Sequence, residues 1–345
     1  MRGMGALLRR NNRMLDRFGA ILAGFPRQRL LVIGDLMLDE FIWGSVSRIS
    51  PEAPVPVVNV TGESYYPGGA ANVARNLREF TADVAVVGMA GNDPAGRRLL
   101  ELLCGCGIDT GGVRQVEGVQ TTVKTRIVAR NQQVVRVDRE RKMPLPPEEV
   151  ERVMKQLEHA IAAADAVVVA DYGKGFLNQP LADHICGVAR RYRKILAVDP
   201  HPHTSLTWPD ATAVKPNRTE AFLAAAMPSA EPASSPLEDA VLLELGTRLL
   251  SAWRCGLLLV TLGEQGMMLF QPDRPPHHIP ARAKEVFDVS GAGDTAIAVL
   301  TMALAAGASA LEAAELANCA SGLAVGKLGT ATVRMDELKA AAAAL

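Results

Sequence analysis

Short apolar runs alternate along this chain with longer stretches of helical spacing. Leu30-Leu-Val-Ile33 ends in Gly34-Asp35 and then Leu36-Met-Leu-Asp39, which predicts a buried first strand with polar groups after its C-terminal end. Val55-Pro-Val-Val-Asn-Val60 is extended, and its prolines suit an edge or covering strand rather than a central one. Gly68-Gly-Ala-Ala-Asn72 opens a helix through Phe80, Val84 to Val87 returns as a strand, and Ala95 to Cys104 is helical. The rhythm resumes at Pro146: helix 147–163, strand Ala166 to Ala170, helix 179–192, strand Ile195 to Val198, then Thr212 to Val214 and a helix after Glu220. Leu257 to Thr261 and Met267 to Phe270 close the strand set, Pro228 to Pro236 is a surface loop, and the chain after 294 is helical to about Lys327. Strands alternating with helices predict a doubly wound α/β fold with a mostly parallel sheet.

One segment breaks this rhythm. Thr121 to Arg139 alternates apolar and basic positions around Asn131-Gln-Gln and reads as a hairpin. With residues 42–60 it forms a small sheet apart from the main one, or else it is a hairpin on the main sheet's edge. Residues 1–26 form a helical extension, with Leu7, Leu8, Met14, Leu15, Phe18, Ile21 and Leu22 at helical spacing, and residues 27–340 form the main domain. Arg17 interrupts any run long enough for a signal peptide, and no run reaches membrane-spanning length.

The 345 residues are 48% hydrophobic, enough for a sizeable core. Lys plus Arg and Asp plus Glu both total 37, so charge offers no argument for nucleic acid or an acidic membrane as partner. Cysteines 104, 106, 186, 255 and 319 are an odd number in a chain that needs no disulfide staples, which suits a cytoplasmic location. Cys104-Gly-Cys106 lacks a second pair at zinc spacing, and the six histidines form no ligand pattern. Gly322-Leu-Ala-Val-Gly326-Lys327-Leu328 is one residue short of a Walker A loop and has Leu where Ser or Thr must meet magnesium.

The chemistry concentrates in Asp288-Val-Ser-Gly-Ala-Gly-Asp-Thr295, ahead of an apolar helix. Small residues at a helix start leave backbone N–H groups open, and the helix dipole favours an anion there. Asp294 at the lip can accept a proton from an attacking hydroxyl. The alternative is an ordinary Gly-rich turn with Asp as N-cap. Asp35, Asp39, Asp171, Asp199, Asn217 and Gly263 recur at predicted strand ends, where open parallel sheets bind ligands.

Gly68-Gly69…Asn72, Asn217…Glu220, Thr261…Gly263…Gly266 and Gly291-Ala-Gly-Asp294, in this order over residues 30 to 338, resemble the ribokinase-like (PfkB) sugar kinases. Arg48-Ile-Ser-Pro-Glu-Ala-Pro-Val-Pro-Val57, Pro67 to Ala74, Arg130-Asn-Gln-Gln133 and Val325-Gly-Lys-Leu-Gly-Thr330 resemble the branch that phosphorylates D-glycero-β-D-manno-heptose 7-phosphate at O1. The resemblance implies a central, mostly parallel sheet between helices and a small β lid, about 42–60 and 121–139, that mediates homodimerisation. It implies Asp294 as general base and the Gly291, Ala292 and Gly293 amides as anion hole. Asn217, Arg218, Thr219, Glu220, Thr261, Gly263 and Gly266 fall on the nucleotide side, with Glu220 organising magnesium through water. Asn318 falls near the adenine, and Asp39, Gly68, Gly69 and Asn72 match sugar-contacting positions.

A phosphorylated sugar needs a second cationic site. The candidates are Arg126, Arg130, Arg136 and Lys174, the last beside the Asp171 turn; the alternative is a solvated basic face. Thr81, His201 and Lys215 depart from the branch: His201 stands where Lys is common, and Lys215 where Thr is common. The chain ends at Leu345 without a His-x-Gly-His motif, an expectation of the free-standing kinase. The expected ligands are ATP, Mg2+ and a sugar phosphate, with a monovalent cation such as K+ near Asp288 and Ser290 left open. Heptose 7-phosphate is the first reading, another sugar or sugar phosphate the second, and a non-catalytic nucleotide-binding regulator the third.

Overall fold

The computed structural model describes residues 17–130, 132–282, 286–327, 329 and 331–344. Asn131, Leu328 and Thr330 of the motifs above, and residues 1–16 of the N-terminal extension, lie outside them. Helix α1, residues 17–24, is followed by the turn Phe25–Arg27. The strands are β1 Leu30–Ile49, β2 Pro56–Gly69, β3 Val84–Gly91, β4 Asp109–Val116, β5 Thr122–Ala129, β6 Gln132–Arg139, β7 Ala166–Ala170, β8 Ile195–Asp199, β9 Ala213–Val214, β10 Leu257–Thr261, β11 Met267–Phe270 and β12 His277–Ile279. The remaining helices are α2 Ala70–Arg78, α3 Pro94–Gly105, α4 Pro147–Ala163, α5 Gln179–Arg191, α6 Arg218–Ala224, α7 Ala240–Trp253, α8 Ala292–Ala305, α9 Ala310–Ala324 and α10 Met335–Ala342.

The main sheet runs β12-β11-β10-β9-β8-β7-β1-β3-β4, parallel from β10 through β4 and antiparallel at the β11 and β12 edge. Buried on both faces, its central strands are continuous apolar runs. Successive β1 residues point to opposite sides, so Leu30 and Val32 join α2, α8 and α9 in one core layer. Leu31 and Ile33 join α4, α5 and α7 in the other. Phe18, Ile21, Leu22 and Phe25 are buried in the first layer, and Phe25 meets Phe80 edge-on at 5.7 Å. The apolar side of residues 17–26 is thus docked on the core, while Arg17, Gly19, Ala20, Ala23 and Pro26 face solvent.

The first strand departs from the sequence reading. It does not end before Asp35. It runs for 20 residues, pairing with β3 and β7 up to Asp35 and then passing into a second sheet. There Leu36–Ile49 pairs antiparallel with β2, and Met37–Gly44 pairs parallel with β5, which carries β6 on its far side. Asp35 and Asp39 are therefore strand residues, the first where the chain changes sheets. The small sheet contains the 121–139 hairpin. β4 and β12 had no apolar run to announce them: Asp109-Thr-Gly-Gly is polar and small, and β12 has three residues. Both pair along only one edge, so little burial is required of them.

Candidate active site

The ends of β7, β8, β9 and β10 and the start of α8 surround a cleft of about 520 Å³. Asp171, Asp199, His201, Lys215, Asn217, Arg218, Thr219, Glu220, Thr261, Gly263, Gly293 and Asp294 line it. This is the carboxyl end of a parallel sheet, where strands deliver side chains and helix N-termini deliver amides.

Asp294 stands in the first turn of α8 and is held on both oxygens. Asn72 Nδ2, from α2, donates to Oδ2 at 2.6 Å, and the Tyr172 hydroxyl donates to Oδ1. Burial pushes this carboxyl up to about 6, against the lowering effect of the two donors; Asp199 raises it further and Lys215 lowers it. A carboxyl in that range can accept a proton near neutral pH. Asn72 is itself buried, and among the described residues its Oδ1 has no hydrogen-bond partner, an unmet acceptor beside Asp294.

Gly291 caps α8 with φ +78°, a left-handed conformation that suits glycine. The Gly293 and Asp294 amides belong to the helix turn that lacks intrahelical partners. The Ala292 amide differs from expectation, because it bonds to the Val289 carbonyl at 3.3 Å. Beside this turn stands Lys215: a Cβ built on Gly293 would lie 3.5 Å from its Nζ. Lys215 is only 3% exposed and pairs with Asp199 at 3.0 Å. The ends of β8 and β9 are neighbours, which places Lys215 and His201 in the same cleft. His201 lines the same cleft with its imidazole held below its usual range, first by burial and then by His203 and Lys174.

Asn217 and Glu220 form a capping box at α6, Asn217 Oδ1 accepting from the Glu220 amide at 2.9 Å and Glu220 Oε2 from the Asn217 amide at 2.7 Å. Burial, then the charge of Asp199, pushes Glu220 up to about 7. Two carboxylates sharing a cleft, each raised by burial, are oxygen donors suited to a hard cation. Among the described residues no group of three or more His, Cys, Asp or Glu is placed to hold a metal. Glu220 and Asp199 are the carboxylates that would lie beside a hard cation such as Mg2+. Arg218 is turned to Asp239 at 2.8 Å and to the Ala230 carbonyl, which fastens the 228–239 loop.

Asn318 and Gly266 are not among the residues lining the cleft. Asn318 Nδ2 donates to the Pro280 carbonyl at 2.8 Å, tying α9 to the strand edge. Gly266, at φ +89°, closes the turn between β10 and β11, where a Cβ would lie 2.1 Å from the Ile279 carbonyl.

On the small sheet, Arg126 pairs with Asp39, both largely buried, and stacks over Phe41 at 5.3 Å. Gly68 sits against Asp39, where a Cβ would lie 2.5 Å from Oδ2, and Gly69 leads into α2 at φ +58°. Lys174 pairs with Glu140 at 2.7 Å. Arg136 is half exposed and pairs with Asp138 of its own strand. Arg130 is the hairpin-turn residue at φ +51°, four residues and roughly 13 Å beyond Arg126. None of the four basic candidates lines the cleft, and Arg126 and Arg136 are opposite one another across β5 and β6.

Tyr172, which lines the cleft, went unrecognised as a site residue. Nothing in Asp171-Tyr-Gly-Lys-Gly175 says that its tyrosine meets an aspartate 122 positions later.

The model of the pfkB family carbohydrate kinases matches residues 27–337. The "Bifunctional protein HldE" of Desulfatibacillum aliphaticivorans is 43% identical over 316 residues, covering 92% of this chain and 63% of that protein. Its counterpart in Geobacter metallireducens is 43% identical over 308 residues, covering 89% and 61%. The chain thus spans less than two thirds of the length of these relatives. Among solved structures, phosphofructokinase-2 from Escherichia coli in complex with potassium superposes with a TM-score of 0.72 at 19% identity, covering 92% of this chain and 99% of that one. Arabidopsis thaliana ribokinase complexed with ribose and ATP gives 0.67 at 18%, covering 91% and 98%. These two share the ribokinase-like fold. Matched over most of its length and carrying the Gly-Ala-Gly-Asp turn at the strand-end cleft, the chain belongs to the pfkB family of carbohydrate kinases, enzymes that transfer a phosphoryl group to a sugar acceptor.

Proposed function

We propose that this chain transfers the γ-phosphoryl group of ATP to O1 of D-glycero-β-D-manno-heptose 7-phosphate, giving the 1,7-bisphosphate for ADP-heptose and lipopolysaccharide core synthesis. The carrying observation is Asp294, held between Asn72 and Tyr172 at the start of α8 with the buried Lys215 alongside. The heptose assignment rests on the long motifs at 48–57, 67–74, 130–133 and 325–330 and on 43% identity to proteins named HldE.

Asp294 takes the O1 proton as O1 bonds to the γ-phosphorus, and the bond from that phosphorus to the bridging oxygen breaks with ADP leaving. Lys215 and the amides of the α8 first turn face the charge on the transferring oxygens. Mg2+, when bound with the nucleotide beside Glu220 and Asp199, neutralises phosphate charge. Asn72 Oδ1 accepts a sugar hydroxyl, and Asp39 is the next carboxylate toward the small sheet. Arg126 and Lys174 are the candidates for the 7-phosphate.

We further propose that the small sheet is a lid and a homodimer contact. Its Ile49, Val60, Val135 and Val137 are exposed apolar residues, and all of β6 is exposed. The five cysteines are free, which suits a cytoplasmic setting. Among the described residues no helix is long and apolar enough to cross a membrane.

A panel of sugars and sugar phosphates with Mg-ATP tests the substrate, with phosphorus NMR expected to show a new anomeric phosphate beside the existing ester. Faster turnover of free ribose, fructose or heptose would leave only the general sugar-kinase assignment.

A further inference from the structure

We propose that Tyr172 is a positioning residue for phosphoryl transfer: its hydroxyl orients the Asp294 carboxylate and sets the pH at which that group accepts a proton. The inference rests on reading Asp294 as the general base.

The geometry begins at Asp35, 2% exposed, at the point where β1 leaves the main sheet. Its Oδ2 accepts from the Tyr172 and Lys174 amides, both at 3.0 Å, and its Oδ1 from the Phe176 amide at 3.1 Å. Asp171 Oδ1 accepts from the Gly173 amide at 2.8 Å and its Oδ2 from Thr204 Oγ1 at 2.6 Å. Gly173 and Gly175 take φ of +66° and +111°, so the turn can wrap around one buried carboxylate. A segment with this many backbone anchors holds its side chain in a defined place, and that side chain ends on Asp294 Oδ1.

A turn of this kind could have presented any residue. A phenol delivered to one oxygen of the base, while Asn72 takes the other, fixes the carboxylate plane and leaves its remaining lone pairs for the sugar hydroxyl. The groups facing Asp294 are Tyr172 from the turn after β7, Asn72 from α2, Asp199 from the end of β8 and Lys215 from the end of β9. Burial and the charges of Asp294, Asp199 and Asp39 hold the Tyr172 phenol well above its usual range, so it remains a donor throughout the working range. Donation stabilises the ionised carboxylate and opposes the upward push of burial.

The test is the pH profile of kcat/KM, which reports the free enzyme's base. Tyr172→Phe is expected to move the acid limb upward by about one pH unit. The loss is then roughly fivefold at pH 6 and smaller at pH 9, where both enzymes are ionised. Replacing Tyr172 with 3-fluorotyrosine, a more acidic donor of nearly the same shape, is expected to move the limb downward. Melting temperature and nucleotide affinity are measured alongside. An acid limb that stays in place in Tyr172→Phe overturns the proposal even if turnover falls, because a merely structural defect lowers activity without moving the limb. Should Tyr172→Phe fail to fold, an unmoved limb in the fluorotyrosine enzyme overturns it. Asp294→Asn separates the two readings: if it retains turnover, the base assignment itself is wrong, whereas inactive Asp294→Asn with an unmoved Tyr172→Phe limb condemns only the tyrosine.

Discussion

Lys215 Nζ lies 3.0 Å from Asp199 Oδ2, an ion pair joining the ends of two neighbouring parallel strands directly beside Gly293. Burial raises the Asp199 carboxyl, and Lys215 opposes that rise. Removing one partner leaves the other charge unpaired in the cleft. Lys215→Met is therefore expected to lower stability by about 3–5 kcal/mol, read by denaturant unfolding. Adding Asp199→Asn should recover much of that loss but not turnover. Wild-type turnover in the double variant would remove Lys215 from the reaction.

The protonation of Asp294 has a definite sign. With its carboxyl pushed up to about 6, the group is protonated below that pH and cannot accept a proton; above it, the base is available. Activity should fall as pH drops through about 6 and stay level toward neutrality. Asp294→Asn should reduce turnover by roughly a hundred- to ten-thousand-fold while ATP still binds, measured by rapid-quench assay and calorimetry.

Gly293 and Gly291 separate catalysis from folding. A methyl group on Gly293 makes ordinary contact with Lys215 and sits in a helix, so Gly293→Ala should melt close to wild type. Its turnover should fall if, as proposed, the transferring phosphoryl group sits at this turn beside Lys215. Gly291→Ala instead places a Cβ at φ +78° and should cost about 1–2 kcal/mol of stability. Equal stability losses in the two variants would contradict this division.

Arg126 is held by Asp39, and the proposed function makes it a candidate for the substrate phosphate. Arg126→Ala is expected to reduce kcat/KM for a sugar phosphate by about tenfold or more. The same sugar without its phosphate should be little affected. A uniform loss on both would assign Arg126 to shaping Asp39 alone.

The exposed valines of β6 predict assembly. Val135→Asp with Val137→Asp should leave a monomer by light scattering if the small sheet is the dimer contact. An unchanged mass would exclude that surface.

The main sheet was legible in the sequence because strands buried on both faces must be apolar throughout, as Leu30 to Ile33 and Ala166 to Ala170 are. The Gly291-Ala-Gly-Asp294 turn was legible for a related reason, since a left-handed cap and an open helix start restrict the residues allowed. Neither rule reports which side chains from distant segments meet. Asp35 looked like the polar end of a strand, but the strand continues through it into a second sheet, an outcome set by pairing with β2 and β5. Nor does the sequence show that the Asn318 amide meets the Pro280 carbonyl, 38 positions away. In the sequence Lys215 is marked only as a departure from the branch, and its pairing with Asp199 follows from β8 and β9 lying side by side. Backbone preferences and hydrophobic period act over a few residues and can be read along the chain. The contacts of Tyr172 and Asn72 with Asp294 span 122 and 222 positions, and only the packing of α2, β7 and α8 at one end of the sheet brings them together.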